Sequence, residues 1–125
     1  MASQKQQYTI LYGRLSQEDE RAGESNSILH QRELLESYAQ AKGFENTLFL
    51  ADDGYSGTNF DRPSWKKIIE MIEAGEVSTL IVKDTSRLGR EYLQVGSYME
   101  IYFPQKNVRF IAVNDGVDSA VESSN

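Results

Sequence analysis

The sequence predicts an α/β fold with three layers, in which a mainly parallel central sheet lies between helices on both faces. Short apolar segments rich in β-branched and aromatic residues recur four times along the 125 residues, as expected for buried strands. Longer segments with apolar residues at helical spacing lie between them. The resulting order, βαβαβαβ with connections long enough for helices, is typical of a parallel sheet covered on both faces.

Four segments are predicted to form the strands of this sheet. They are Tyr8–Ser16, Thr47–Ala51, Thr79–Val82 and Val108–Val113. The first begins as an apolar run and ends in two polar residues, Arg14 and Ser16, whose side chains point to the same side if the strand continues that far.

Three amphipathic helices are predicted between the strands, over residues 28–42, 63–74 and 91–103. Ser27 is suited to cap the first helix, and Gly43 to end it. Pro63 fits the first turn of the second helix, in which Trp65 is interpreted as a core residue rather than a platform for base stacking. The third helix is predicted to stop before Pro104, because the residue before a proline disfavours helical geometry.

Composition indicates one globular domain. Hydrophobic residues make up 39% of the chain and charged residues 26%, which is ordinary for a folded domain. The absence of cysteine excludes disulfides and thiolate metal sites from these residues, and the single His30 excludes a multi-histidine site. With no secretory signal and no run of 18 apolar residues, we expect a cytoplasmic protein.

The net charge of −6 argues mildly against a chain that coats nucleic acid through bulk electrostatics. It leaves room for a local basic site. Acidic residues concentrate in residues 18–24 and on the predicted helices, whereas arginines concentrate just after the predicted strands. A phosphodiester site could therefore lie on this acidic domain if another segment supplied most of the DNA affinity.

Polar side chains follow all four predicted strands, at the edge where open α/β sheets bind their ligands. They are Arg14 and Ser16; Asp52, Asp53 and Arg62; Lys83, Asp84, Ser86, Arg87 and Arg90; and Asn114 and Asp115. Taken alone, Arg14 and Ser16 favour a simpler interpretation, a solvated arginine and a helix-capping serine. Several arginines at one edge favour a phosphate site instead, because guanidinium groups match phosphate oxygens. Ser16 beside them is then a candidate nucleophile.

Other kinds of site find less support. The chain has no G-x-G-x-x-G after a strand, no Walker-A motif and no G-x-S-x-G elbow, and His30 lies in the first predicted helix, so nucleotide binding and a hydrolase triad are not indicated. The acids after the strands have ligand types that suit Mg²⁺, and a flavodoxin-like phosphoacceptor at Asp52 or Asp53 is one alternative. We favour arginine pairing and loop capping for these acids.

Five motifs occur in order: YGRLS, SILHQRELL, DDGYSGTNFDRP, VKDTSRLGR and FIAVNDGVDS. Together they resemble the N-terminal catalytic domain of the serine recombinases, the resolvase/invertase family. The resemblance spans nearly the whole chain, from about Tyr8 to Ser119. The motifs KDTSRLGR and NDGVDS are most similar to those of the large serine recombinases of transposons and conjugative elements.

The resemblance implies a resolvase-like catalytic-domain fold and a site-specific recombinase. Ser16 would attack a DNA phosphodiester and form a 5′-phosphoserine link, before strand exchange and religation without metal, ATP or any other cofactor. Gln31 matches a glutamine that supports the nucleophile region, and Asp53 and Ser56 lie in the matching active-site loop. The guanidinium groups expected around the scissile phosphate are those of Arg14, Arg62, Arg87 and Arg90. The implied partners are recombination-site DNA and further copies of the chain, as a dimer and a synaptic tetramer.

One residue departs from the family pattern. Many members have Asp directly before the arginine of the R-L-x-R motif, where this chain has Ser86. If that Asp serves as a general acid, either Asp84 takes over or the role is not needed. A degenerate recombinase-like module that only oligomerises is the alternative function, but such a module has no need of Ser16 and an arginine cage.

The resemblance also predicts the domain organisation. Residues 1–7 form a polar tail, residues 8–119 the catalytic domain, and residues 120–125 a second tail. Members of the family continue into a dimerisation helix and DNA-binding domains. We therefore expect this chain to be a fragment that binds DNA weakly and recombines nothing by itself.

Overall fold

The fold is described by a computed structural model, which covers residues 7–15, 27–53, 63–84 and 96–119. In chain order its elements are β1 (Tyr8–Leu15), α1 (Ile28–Lys42), β2 (Thr47–Asp53), α2 (Pro63–Glu73), β3 (Val77–Val82), a π-helical segment (Tyr98–Tyr102), α3 (Phe103–Gln105), β4 (Arg109–Ala112), a 3-10 turn (Val113–Asp115) and β5 (Val117–Asp118). The strands form one sheet in the order β2-β1-β3-β4-β5. The first four strands are parallel and β5 is antiparallel to β4, which confirms the predicted α/β class.

Alternate residues of the strands pack into two separate cores, one on each face of the sheet. On one face Ile10 and Tyr12 belong to the core that α2 covers with Trp65. On the other face Leu11 packs with Leu35 of α1. This period-two division is what strands buried on both faces require, and it accounts for their nearly continuous apolar sequences.

Both ends of α1 are those that the sequence predicts. The Ser27 hydroxyl accepts a hydrogen bond from the backbone N–H of His30 at 3.1 Å, which satisfies one of the free donors of the first turn. Gly43 has a left-handed backbone with φ 78°, where a side chain would be strained. These local signals are strong enough to fix the helix bounds before any tertiary contact is known.

The predicted stop before Pro104 is wrong, because the helix continues through the proline to Gln105. In the π-helical segment the N–H of Phe103 reaches back five residues to the carbonyl of Tyr98. This wider turn accommodates the proline ring, which would press on a carbonyl in a regular α-helix. The first part of the predicted third helix, residues 91–95 with Tyr92 and Val95, lies outside the described residues.

The strand bounds differ from the prediction at both edges of the sheet. β2 does not end at Ala51 but continues through Asp52 and Asp53, which pair in register with Arg14 and Leu15 of β1. The pairing shows that polar residues do not end a strand when a neighbour continues beside them. At the other edge, β4 is shorter than predicted, and it is followed by a strand, β5, that the sequence does not predict.

Side chains hold β5 against β4. The Arg109 guanidinium donates two hydrogen bonds to the Asp118 carboxylate, at 2.9 and 2.8 Å, and the pKa of Arg109 is raised because of them. The Ser119 hydroxyl accepts from the backbone N–H of Phe110 at 3.0 Å. In the described parts of the chain, no helix is both long and apolar enough to cross a membrane.

Candidate active site at the end of strand β1

The candidate site begins at the carboxyl end of β1, which lies between β2 and β3. Arg14 is the second-last residue of this strand and is fully buried. Its Cα is paired with that of Asp52 on β2, so the two side chains leave neighbouring strands on the same face of the sheet. A guanidinium is rarely buried without paired or anionic surroundings, and this position thus differs from the solvated arginine of the simpler interpretation.

Gln31 fixes the backbone at this point from the opposite face. Its side-chain carbonyl accepts from the N–H of Arg14, and its side-chain N–H₂ donates to the carbonyl of Arg14, both at 3.0 Å. The amide thus satisfies both main-chain groups of Arg14, as a neighbouring strand would. Because Gln31 is itself fully buried, these two hydrogen bonds are shielded from water and hold the strand end firmly.

Gly13 makes room for that contact. A Cβ at this position would lie 3.1 Å from Oε1 of Gln31 and 3.3 Å from Cζ of Phe49. The absence of a side chain therefore lets the Gln31 amide approach the backbone of β1. Gly13 directly precedes Arg14, so the glycine, the arginine and the glutamine form one local arrangement, with Ser16 two residues beyond Arg14 in the sequence.

Asp52 joins β1, β2 and α2. Its Oδ1 accepts from the N–H of Ser64 at 2.9 Å, and its Oδ2 accepts from the N–H of Trp65 at 3.0 Å and from the Tyr12 hydroxyl at 2.7 Å. The carboxylate is 3% exposed. It thus caps α2 from a neighbouring strand, which supports the capping interpretation over a phosphoacceptor role, since both oxygens are already engaged inside the protein.

The ends of β3 and β4 are also tied together at this edge. The backbone N–H of Asn114 donates to the carbonyl of Lys83 at 2.7 Å. Lys83 and Asp84 are half-buried directly after β3, whereas Asn114 and Asp115 are exposed after β4. The described residues of all four predicted strand ends therefore lie along one edge of the parallel sheet, as the sequence predicts.

Two of the six candidate site residues, Arg14 and Gln31, are described and in contact. The other four candidates are Ser16, Arg62, Arg87 and Arg90, which lie outside the described residues together with Ser56 and Ser86. Their predicted roles therefore stay predictions. Within the described ranges, no three His, Cys, Asp or Glu side chains are grouped closely enough to hold a metal ion.

Two residues of the Asp52 arrangement, Tyr12 and Ser64, are not among the residues that the sequence predicts for the site. Tyr12 belongs to an apolar strand segment, and only its position two residues before Arg14, which places both side chains on one face, distinguishes it. Ser64 also donates its hydroxyl to the carbonyl of Ala51, at 2.7 Å. A detectable signal was the start of α2, where Pro63 follows Arg62 and no Ser, Thr, Asp or Asn stands directly before the helix to cap it.

The fold is a five-stranded sheet in which a buried arginine, held through its backbone by a glutamine, lies at the carboxyl end of β1. The sequence profile of the family described as "Resolvase, N terminal domain" matches residues 9–125. The chain therefore belongs to the resolvase N-terminal domain family, and its fold is that of a serine recombinase catalytic domain.

Individual relatives agree with this assignment. The N-terminal catalytic domain of TP901-1 integrase superposes with a TM-score of 0.80 at 26% identity, over 91% of this chain and 82% of that one. A resolvase family site-specific recombinase from Streptococcus pneumoniae gives 0.74 at 27% identity, over 94% and 79%. The uncharacterized immunity region protein 3 of Bacillus phage phi105 is 37% identical over 65 residues, which are 52% of this chain and 78% of that protein.

Proposed function

We propose that this chain is the catalytic domain of a site-specific DNA recombinase in which Ser16 forms a transient covalent link to DNA. The observation that carries the proposal is the construction of the β1 end, where Gln31 holds both backbone groups of Arg14 at 3.0 Å. Such a construction suits a chain segment that must present a nucleophile in one fixed geometry. Ser16 follows Arg14 by two residues, and the family membership supplies the chemistry.

The proposed reaction is a transesterification. The Oγ of Ser16 loses its proton and attacks the phosphorus of the scissile phosphodiester. The bond from phosphorus to the 3′ oxygen breaks, and that oxygen takes a proton to become a free 3′ hydroxyl. The DNA 5′ phosphate is then esterified to Ser16, and attack by a 3′ hydroxyl of the exchanged strand reverses the step. Because each phosphoester bond that breaks is replaced by another, the reaction needs no external energy source.

The arginines are proposed to stabilise the charge that develops on the phosphate oxygens. Arg62, Arg87 and Arg90 would join Arg14 around the scissile phosphate. Guanidinium groups stay protonated and bind two oxygens in a fixed geometry, so they stabilise a pentacovalent transition state more than the ground state. Arginines close to Ser16 also lower the cost of forming its alkoxide.

The partners proposed for this reaction are DNA and other copies of the protein. Two double strands must be held together during strand exchange, which a synaptic tetramer of the full-length protein would do after dimers bind each site. The relatives named integrase and site-specific recombinase, and the relative from a phage immunity region, support an origin in a mobile element. DNA as substrate is consistent with a cytoplasmic location.

The test is to look for the covalent protein–DNA intermediate. The full product of the gene is incubated, with EDTA present, with DNA from the two junctions of the genomic element that carries it, nicked to trap intermediates. We expect a covalent adduct that mass spectrometry maps to Ser16 and that Ser16→Ala abolishes. Ser37→Ala is the matched control, since Ser37 is exposed on α1, and it should form the adduct at the parental rate.

The opposite outcome identifies the alternative function. If DNA that the protein binds and synapses yields no adduct, the chain is a recombinase-like module for oligomerisation. If Ser16→Ala forms the adduct as well as the parent does, the nucleophile is another residue.

A further inference from the structure

The Asp52 carboxylate connects the segment that precedes Ser16 to the segment that follows Arg62. It binds Tyr12 on β1 and the N–H groups of Ser64 and Trp65 on α2. Arg62 is the residue directly before Pro63, the first residue of α2. One carboxylate thus connects β1, whose sequence continues to Ser16, with the first turn of α2, which directly follows Arg62 in the sequence.

The first turn of α2 depends on this carboxylate. The first N–H groups of a helix have no partner within the helix, and an anion there also interacts favourably with the helix dipole. A residue directly before the helix usually supplies the capping oxygen, but an arginine has none to offer. Asp52 supplies it from β2 instead, and burial at 3% exposure strengthens these charge-assisted hydrogen bonds.

We infer that Asp52 is a positioning residue, which fixes Arg62 relative to the Ser16 segment by anchoring the start of α2 to β1 and β2. The inference rests on the proposed function, because it assigns Asp52 a role in that reaction. The anchor has two independent attachments to β2, since the Ser64 hydroxyl also donates to the carbonyl of Ala51 at 2.7 Å. Its attachment to β1 is the Tyr12 hydroxyl, two residues before Arg14.

The variant that tests the anchor is Asp52→Asn, which keeps the shape of the side chain. Its amide has one accepting oxygen and an N–H₂ group that cannot accept from a backbone N–H. Trp65, the only tryptophan of the chain and 1% exposed, reports directly on the start of α2. We expect stronger quenching of its fluorescence by acrylamide in Asp52→Asn, with unchanged secondary structure by circular dichroism. Unchanged quenching would overturn the anchor whether or not the protein cuts DNA.

The positioning role is tested through the rate at which the Ser16 adduct forms. A displacement of about 1 Å costs on the order of 100-fold in rate, so we expect Asp52→Asn to lower the adduct rate about 100-fold while DNA binding is retained. Glu70→Gln, the same chemical change at an exposed position of α2, should leave the rate unchanged. Tyr12→Phe removes one of the three hydrogen bonds and should cause a smaller loss, so it serves as the second variant if Asp52→Asn does not fold.

A double-mutant cycle separates positioning from a general loss of structure. If Asp52 acts through Arg62, adding Asp52→Asn to Arg62→Ala should change the rate by less than about twofold, because coupled residues are not additive. Losses that simply multiply would show that Asp52 supports the fold without positioning Arg62. If the parent protein forms no Ser16 adduct, the proposed function and the positioning role are both wrong, whereas the Trp65 measurement still decides the anchor.

Discussion

At the scale of single residues, the most specific feature is the close approach of the Gln31 side chain to the backbone of β1. Glutamine in a helix facing the core is normally a poor choice, because its amide must find partners away from water. Here both of its polar atoms bond to Arg14. The sequence marks Gln31 only through the family motif, since no periodicity distinguishes a buried glutamine from an exposed one.

The fit between Gly13 and Gln31 gives a prediction for Gly13→Ala. Alanine normally stabilises a strand relative to glycine by about 0.5–1 kcal/mol. At Gly13 the added Cβ would lie 3.1 Å from Oε1 of Gln31, an atom that its hydrogen bond to Arg14 holds in place. Overpacking of this kind costs about 1–3 kcal/mol, so we expect a net loss in the free energy of unfolding, measured in urea.

The matched control for that substitution is Gly96→Ala. Gly96 lies in a helical turn, and a Cβ there would meet nothing within 4 Å. Alanine should therefore raise the free energy of unfolding by about 0.5–1 kcal/mol. Two Gly→Ala changes with effects of opposite sign would establish that the contact at Gly13 matters; equal gains at both positions would contradict it.

At the scale of secondary-structure elements, the helix ends that depend on local signals were predicted correctly. The features that depend on pairing between distant residues were not. Ser27 and Gly43 bound α1 as expected, because a cap is decided by residues a few positions apart. The two residues of β5 give no such signal, and the strand depends on Arg109 and Asp118, which meet only in the folded chain. The same reason explains why Asp52 was predicted to follow β2 rather than belong to it: its pairing partner on β1 and its capping partners are 12 or more residues away in the sequence.

A cluster of Glu73, Tyr102 and Lys106 joins the end of α2 to the π-helical segment. Glu73 accepts from the Tyr102 hydroxyl and, at 3.2 Å, from Nζ of Lys106. The hydrogen bond from Tyr102 is the main cause that lowers the pKa of Glu73, followed by that from Lys106. Burial, and then the Glu73 carboxylate, raise the pKa of Tyr102, so the phenol remains a donor throughout the neutral range.

This cluster predicts how stability depends on pH. Because the pKa of Glu73 is lower in the folded protein, its contribution to stability is present above the ordinary value of 4.5 and is lost as the pH falls through the folded pKa. Glu73→Gln should therefore lower the Tm at neutral pH, and its difference from the parent should shrink in acid. Thermal unfolding across pH measures this, with Glu70→Gln of the same helix as control. A difference that grows in acid would contradict the assignment.

At the scale of the whole molecule, the net charge is acidic although the predicted site is basic. The chain has 19 acidic residues against 13 lysines and arginines, whereas the residues predicted for the site include four arginines, of which Arg14 is described at the end of β1. Parallel strands bring their carboxyl ends to one edge from distant positions in the sequence, which is why the common edge of the strand ends could be predicted. The roles of Ser16, Arg62, Arg87 and Arg90 stay predictions, because these residues lie outside the described part of the chain.

The acidic net charge predicts that the 125-residue chain binds DNA weakly. Non-specific affinity comes mainly from neutralised phosphates and released counterions, and a net charge of −6 opposes close approach of the whole surface. We expect a Kd weaker than about 10⁻⁵ M for a random-sequence duplex at physiological salt, measured by fluorescence anisotropy with a labelled duplex. Lower salt should strengthen binding only slightly, because few phosphates are contacted at one edge. Arg90→Gln should weaken it further, whereas Arg32→Gln, on the exposed face of α1, should not. Submicromolar binding would mean that this domain itself supplies the DNA affinity.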